Sequence, residues 1–230
     1  MTRIAGTILL GALVLSSMSA AQDPFRGDRS WMVENQLRRR GIHQTDLLNA
    51  METVPRHLFV PESSREAAYV DEAVGTGPGG GLLQPYITAL MIELLELNGT
   101  QKVLEVGTGS GYDAAILSRL AREVYTIEIS ERLGEDAKER LRDLGYNNVH
   151  VRIGDGNGGW PTEAPFDAII LTTAPAEIPP RLFQQLKTNG KMVVPVGGIL
   201  HDRTGLTQTD EGMVRRRIEP VRIAPMSPDP

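Results

Sequence analysis

Three carboxylates stand where chemistry is possible: Glu105, Glu128 and Asp155, each at or just past the end of a short apolar run. Glu105 lies in Val103-Leu104-Glu105-Val106, which reads as a buried strand. Gly107, Gly109 and Gly111 then break the strand at alternate positions, with Thr108 and Ser110 between them, and an apolar-periodic run from Tyr112 restarts as a helix. Strand, glycine turn, helix is the opening of a nucleotide-binding βαβ unit. Glycine permits a sharp turn and the close approach of a ligand, and the helix start beyond it offers unpaired N–H groups. Glu128 follows ~20 residues after the turn, where an acid can accept from both ribose hydroxyls. Asp155 lies in Gly154-Asp155-Gly156 and is able to accept from an adenine amino group.

The spacing discriminates between ligands. A dinucleotide fingerprint reads G-x-G-x-x-G; here the third glycine comes one residue early and Tyr112 holds its usual place. A carboxylate at Glu105 would repel a pyrophosphate but suits a cation. S-adenosylmethionine (SAM) carries a sulfonium and an ammonium and no phosphate. A nicotinamide dinucleotide would account for Glu128 alone, and the bland alternative is a glycine turn that packs a helix on a strand. Other chemistries are excluded by composition. There is no cysteine, which removes thiol catalysis, disulfides and thiolate metal sites. The histidines His43, His57, His150 and His201 are too scattered for a metal site. A net charge of −5 argues against nucleic acid as a partner. The arginine runs 38–40 and 215–217 read as solvated faces.

These residues need a frame. Residues 1–21 read as an export signal, with Arg3, an apolar stretch over 8–15 and small residues Ser19 and Ala21 before cleavage at Gln22. The mature protein is then expected to be periplasmic or secreted, without stable membrane association; the alternative is a cytoplasmic protein. A helix is expected over 31–40 with Gly41 as its stop, and another over 44–53 capped by Thr45. Residues 54–61 read as an extended segment pinned by Pro55 and Pro61, with Arg56 and His57 serving either packing or substrate contact. A helical turn follows at 67–69. The glycine-rich stretch 75–81 reads as irregular, and a strong helix follows over 87–97.

From residue 102 strands and helices alternate. Strands are expected at 103–106, 124–129, 149–153, 168–172 and 191–196. The helices between them are expected at 112–121, from Ser130 through Leu133, Ala137, Leu141 and Leu144, and at 179–187. Segments 206–209 and 213–223 then read as an antiparallel hairpin, and 225–230 as a frayed tail. The fold class is α/β: a doubly wound, mostly parallel seven-stranded sheet with a C-terminal antiparallel hairpin and an N-terminal helical extension. After the signal, residues 22–99 carry the helical segment and the glycine-rich loop and 100–230 the nucleotide-binding core, together one globular domain. Ligands of such sheets sit beyond the C-terminal strand ends where strand order reverses. This adds Thr172, closing the fourth core strand.

At this point the sequence resembles the protein-L-isoaspartate (D-aspartate) O-methyltransferases. The resemblance covers nearly everything after the signal: Met32-Val33, Gln36-Leu37 and Arg40-Gly41-Ile42; residues 54–61; Ala68-Tyr69; Gln84-Pro85-Tyr86; the glycine turn through Tyr112; Gly154-Asp155-Gly156; Gly159-Trp160-Pro161; residues 164–167; Pro195-Val196-Gly197; and the closing 221–225. The glycine turn is shared by many SAM methyltransferases; the proline segment, Gly-Trp-Pro and Gln-Pro-Tyr are far more specific. The resemblance implies SAM as donor and methyl transfer to the abnormal carboxylate of isoaspartyl residues in proteins or peptides, the start of their repair, by a monomer. It assigns Glu105 and the turn Gly107, Thr108, Gly109, Ser110 and Gly111 to the methionine part of SAM, Glu128 to the ribose, Asp155 and Gly156 to the adenine, and Thr172 to the floor. Leu82, Leu83 and Gln84 face the acceptor. The sequence departs from the family there. The family reads Gly-Gln-Thr-Ile-Ser-Gln-Pro, and its serine is taken as the active-site residue; here Leu83 stands in that place and Gly81 replaces the threonine. Weakened or redirected acceptor activity is the expectation. Methylation of another substrate and a SAM-binding relic without turnover are the alternatives.

Overall fold

The computed structural model describes residues 23–77, 80–175 and 177–196, and the backbone path of 201–209 and 212–221. The export signal and the tail lie outside the described residues. The chain opens with α1 (Arg26–Trp31), which widens into a π turn over Met32–Leu37 and tightens into a 3₁₀ turn over Arg38–Arg40. Gly41, at φ 95°, stops it as expected. The next helix, α2 (Thr45–Thr53), is capped differently from the expectation at Thr45. Gln44 is its N-cap, and the backbone N–H groups of His43 and Gln44 both donate to Glu93 Oε1, at 2.6 and 2.9 Å. A carboxylate from a distant helix thus fixes the entry to α2, and no side chain caps its first-turn N–H groups.

Residues 54–61 are not simply extended. Between the two prolines the chain makes a 3₁₀ turn, Arg56–Leu58, and a second follows at Glu62–Ala67. The stretch expected to be irregular forms an antiparallel ribbon of β1 (Val74–Gly77) and β2 (Gly80–Leu82), pairing Val74 with Leu82 and Gly75 with Gly81. Glycines weaken a strand through backbone entropy, but they do not forbid ladder hydrogen bonds, and one flanking residue of the ribbon, Leu82, is buried. Helix α3 (Pro85–Glu93) is shorter than expected, because the chain turns at Leu94 and Glu96 adopts φ 50°.

The core is β3 (Lys102–Val106), α4 (Tyr112–Ser118), β4 (Glu123–Glu128), α5 (Glu131–Asp143), β5 (Val149–Ile153), β6 (Phe166–Leu171), α6 (Pro180–Phe183), β7 (Leu186–Val196), β8 (His201–Thr209) and β9 (Gly212–Val221). The sheet order is β5-β4-β3-β6-β7-β8-β9, parallel through β7 and antiparallel after it. Strand order reverses between β3 and β6, so a crevice opens there. Ser130 caps α5, accepting from Leu133 N–H. The helix expected over 179–187 is a single turn, because Leu186 already pairs with Phe166 and joins β7.

Alternation along β3 divides the interior. Val103 faces one cluster, which includes the N-terminal helices, α3 and α4; Leu104 and Val106 face another, with Ile127, Phe166, Ile169, Leu182 and Met192. Phe59 and Phe166 are each close to fully buried, one in each cluster. Phe59→Ala and Phe166→Ala should each lower unfolding free energy by ~3–5 kcal/mol. With a sheet between them, their effects should add to within about 0.5 kcal/mol in the double variant. Urea titration of the three variants measures both quantities.

Candidate functional site

Four of the sequence-marked groups meet where β3, β4 and β6 end. Glu105 pairs in register with Thr126 on one side and Ile170 on the other. Its side chain shares the sheet face of Val103 and points beneath α4, where it is 0% exposed. Thr126 Oγ1 donates to Glu105 Oε2 at 2.6 Å, and the Thr108 hydroxyl lies 2.6 Å from Thr126 Oγ1. Glu105 Oε1 is buried with no partner. Burial, reinforced by the nearby carboxylates of Asp113 and Glu128 and opposed by the Thr126 hydrogen bond, pushes the Glu105 carboxyl well above the usual range.

The turn that follows has the shape its glycines allow. Gly107, Gly109 and Gly111 have φ of 101°, 54° and 89°, a region side chains rarely adopt. At Gly107 a Cβ would also fall 2.4 Å from Thr172 Oγ1. Thr172 Oγ1 donates to the Gly107 carbonyl at 2.6 Å, which ties the end of β6 to the turn across the switch point. Glu128 holds the turn from the other side. Its Oε2 accepts from Gly109 N–H at 2.8 Å and its Oε1 from Ser130 N–H at 3.0 Å. Each carboxylate oxygen keeps a further lone pair for an incoming hydroxyl. Ser110 Oγ is a second buried polar atom without a partner.

Asp155 sits one strand further along. Gly154 N–H donates to the Glu128 carbonyl at 2.8 Å, which draws the third acid toward the second. The Asp155 carboxylate is exposed and accepts from Asn157 N–H at 2.8 Å, and Gly156 beside it is buried. The ribbon completes the site from above: an ideal Cβ on Gly109 would lie 3.7 Å from the Gly81 carbonyl, so Leu82, Leu83 and Gln84 leave the ribbon directly over the turn. Leu82 is buried and Leu83 half-buried. A cleft of about 120 Å³ beside Gly109 and Ser110 is walled by residues 59–61, Thr76 of the ribbon and α5; it is smaller than the roughly 300 Å³ of a small-molecule pocket.

A cationic, phosphate-free nucleoside fits these groups. Glu105 offers an unpartnered oxygen, Ser110 an unpartnered hydroxyl, the turn a side-chain-free backbone, and Glu128 free lone pairs. Among the described residues no group of His, Asp and Glu could hold a metal ion. Sequence reasoning missed Thr126, whose place beside Glu105 comes only from strand register, and Asp113, which reads as a first-turn helix acid. It left Arg56 and His57 open. His57 packs, with its ring 4.4 Å from that of Phe25 and its Nδ1 2.8 Å from the Tyr69 hydroxyl. Arg56 is buried and donates to the Ala68 and Leu83 carbonyls.

The comparisons agree with the geometry. A family model described as protein-L-isoaspartate(D-aspartate) O-methyltransferase matches residues 28–227. A protein-L-isoaspartate O-methyltransferase of Opitutus terrae is 48% identical over 192 residues, covering 83% of this chain and 82% of its own. One from Gloeobacter violaceus is 46% identical over 198 residues, covering 85% and 97%. Among solved structures, a protein-L-isoaspartate O-methyltransferase superposes with a TM-score of 0.78 at 27% identity, covering 89% of this chain and 66% of its own. A Plasmodium falciparum chain bearing the same family name, solved with S-adenosyl-L-homocysteine, shares the fold at a TM-score of 0.75, 22% identity and coverage of 86% and 98%.

Asp113 gives the site a measurable signature. Burial lifts its carboxyl from 3.8 to about 6, against the opposing pull of Arg56 and of the Thr88 hydroxyl that donates to it. The folded state therefore binds this proton more tightly than the unfolded one. Stability should fall as pH rises from about 4 to about 6, by on the order of 3 kcal/mol, and level off above. Asp113→Asn removes this slope, so the stability of the variant relative to the parent should climb across that window. Denaturant titrations of both between pH 4 and 7 measure it; a constant difference would show that Asp113 carries no burial cost.

Proposed function

The chain belongs to the protein-L-isoaspartate(D-aspartate) O-methyltransferase family, whose members are SAM-dependent methyltransferases, and from that premise we propose how its residues divide the work. The donor half is intact. Glu105 faces the cationic methionine part of SAM; Gly107, Thr108, Gly109, Ser110 and Gly111 leave room for its backbone contacts. Glu128 takes the ribose, Asp155 and Gly156 the adenine, and Thr172 braces the floor. The observation that carries this is the buried, unpartnered Oε1 of Glu105: an oxygen costly to leave bare that a cation would satisfy.

The acceptor half is altered. SAM supplies an electrophilic methyl group, and an isoaspartyl carboxylate is already anionic at neutral pH, so the protein need not remove a proton. Its task is to hold the acceptor in line and at near-attack distance, where a lost orienting contact costs ~10²-fold in rate. Leu83 in the serine position removes a hydrogen-bond donor and leaves an apolar wall, which disfavours an anion unless another donor serves it. The reading is an isoaspartyl methyltransferase with weakened or redirected turnover. A different acceptor is the second reading, and the apolar Leu82-Leu83 pair is what favours it.

With labelled SAM and an isoaspartyl peptide, Leu83→Ser should raise kcat/KM by about 10- to 100-fold. Glu105→Gln should weaken S-adenosylhomocysteine binding by calorimetry by about tenfold or more, the loss of a charged partner. Binding without transfer by parent and Leu83→Ser alike would favour the relic.

We also propose export through the leader at 1–21, followed by life as a soluble monomer. No helix among the described residues is long and apolar enough to cross a membrane. SAM synthesis consumes ATP and belongs to the cytosol, so an exported enzyme requires a supply of its donor. Cell fractionation with N-terminal sequencing should find a mature chain starting at Gln22 outside the cytoplasm; an intact Met1 in the cytosol would reverse the assignment.

A further inference from the structure

Two residues, Arg56 from the proline segment and Asp71, grip the turn between the ribbon and α3 from opposite flanks. On the buried side, Arg56 is 0% exposed and its Nη2 donates to the Leu83 carbonyl at 2.7 Å, while its Nε donates to the Ala68 carbonyl at 2.7 Å. The same guanidinium lies 4.8 Å from the centre of the Tyr112 ring, the first residue of α4 after the glycine turn. One side chain thus touches both the acceptor segment and the helix that carries the donor turn. On the outer side, Asp71 Oδ1 accepts from Tyr86 N–H at 3.0 Å and Oδ2 from Gln84 Nε2 at 2.8 Å. Arg40 pairs with Asp71 and lays its guanidinium 3.6 Å from the centre of the Tyr86 ring. Leu83, Gln84 and Tyr86 are therefore each bound from outside their own segment, and Pro85 between them has a restricted φ.

We propose that Arg56 and Asp71 are positioning residues for the methyl acceptor: they lock the Leu83–Tyr86 corner relative to the donor turn through bonds to Leu83, Gln84 and Tyr86. This rests on the reading above that the corner faces the acceptor. All four bonds go to backbone atoms or to the Gln84 amide, and none uses the side chain at position 83. The lock is thus independent of the leucine, and a serine placed there would inherit a fixed orientation. Near-attack placement acts on the rate of transfer far more than on the binding of either reactant alone, so the lock belongs in kcat.

The test uses the full chain and its Leu83→Ser variant, each also carrying Asp71→Ala, Asp71→Asn or Arg56→Lys. Hydrogen exchange over residues 82–88 reports the corner, calorimetry with S-adenosylhomocysteine the donor site, and initial rates with labelled SAM and an isoaspartyl peptide the transfer. Asp71→Ala should speed exchange at the corner by about tenfold or more and lower kcat by about 10- to 100-fold, with peptide KM and homocysteine-product affinity held within about twofold. Asp71→Asn, whose amide oxygen still accepts from Tyr86 N–H, should recover most of kcat, and Leu83→Ser should lose its gain on the Asp71→Ala background. Arg56→Lys should act in the same direction; should burial make it unstable, the Asp71 pair carries the test. An unchanged kcat despite faster exchange overturns the proposal. So does donor affinity that falls in step with kcat, or an Asp71→Asn as poor as alanine. No transfer by parent or Leu83→Ser, with the donor product still bound, overturns the functional reading and this inference with it.

Discussion

Charge held away from water is what the rest of this structure is arranged around. Glu105 is a buried acid, Asp113 beside it is partly buried, and Arg56 is a buried cation that acts on Asp113. An isolated carboxylate in such a place would cost several kcal/mol. The protein lowers that cost with a short bond from Thr126 to Glu105, a longer one from Thr88 to Asp113, and the Arg56 guanidinium near Asp113. It does not remove it, since Glu105 Oε1 remains bare. Carboxyl groups pushed upward in this way favour whatever brings positive charge to the strand ends. A pyrophosphate brought to the same place would add negative charge beside acids that already oppose one another.

The alternation of the core was legible because parallel strands buried on both faces must be continuous apolar runs. The run at 149–153 has the bounds the sequence suggests, and the others shift by a few residues at most, apart from the early start of β7. Glu105 and Asp155 were legible because glycines stand close by, and Glu128 because of its distance from the glycine turn. What escaped is set by tertiary partners. Residues 75–81 look too glycine-rich for a strand, yet they pair because each half of the ribbon supplies the other's hydrogen bonds and the ribbon rests on Gly109. The helix expected at 179–187 loses its second half because Leu186 bonds to β6 first. Thr45 does not cap because the helix begins one residue earlier, with Gln44 as its N-cap, and Glu93, far along the chain, binds the N–H groups of His43 and Gln44 just before it. Local propensity was overruled in each case by a group that local sequence does not contain.

The site was legible on the donor side and only partly so on the acceptor side. Donor groups follow strands, and strands announce their ends. The acceptor segment is held by Arg56 and Asp71, which lie in unrelated turns with no period or spacing to connect them to Leu83. Arg56 shows how a single buried side chain can be read two ways. A guanidinium with no exposure looks like packing, and it does pack against Tyr112. It also places two fixed donors on the Ala68 and Leu83 carbonyls, which a lysine could not match with its single ammonium.

The proposed exchange of a serine for Leu83 can be weighed against that scaffold. If the corner owed its shape to a side chain at 83, a leucine there would let it drift and the whole acceptor side would decay. Instead its backbone is held from both flanks by groups that do not sense which side chain is present. The substitution changes the chemistry of the wall and leaves its position alone. The side chain at 83 is free of the bonds that hold the corner, whereas Arg56 joins the corner to the helix that follows the glycine turn.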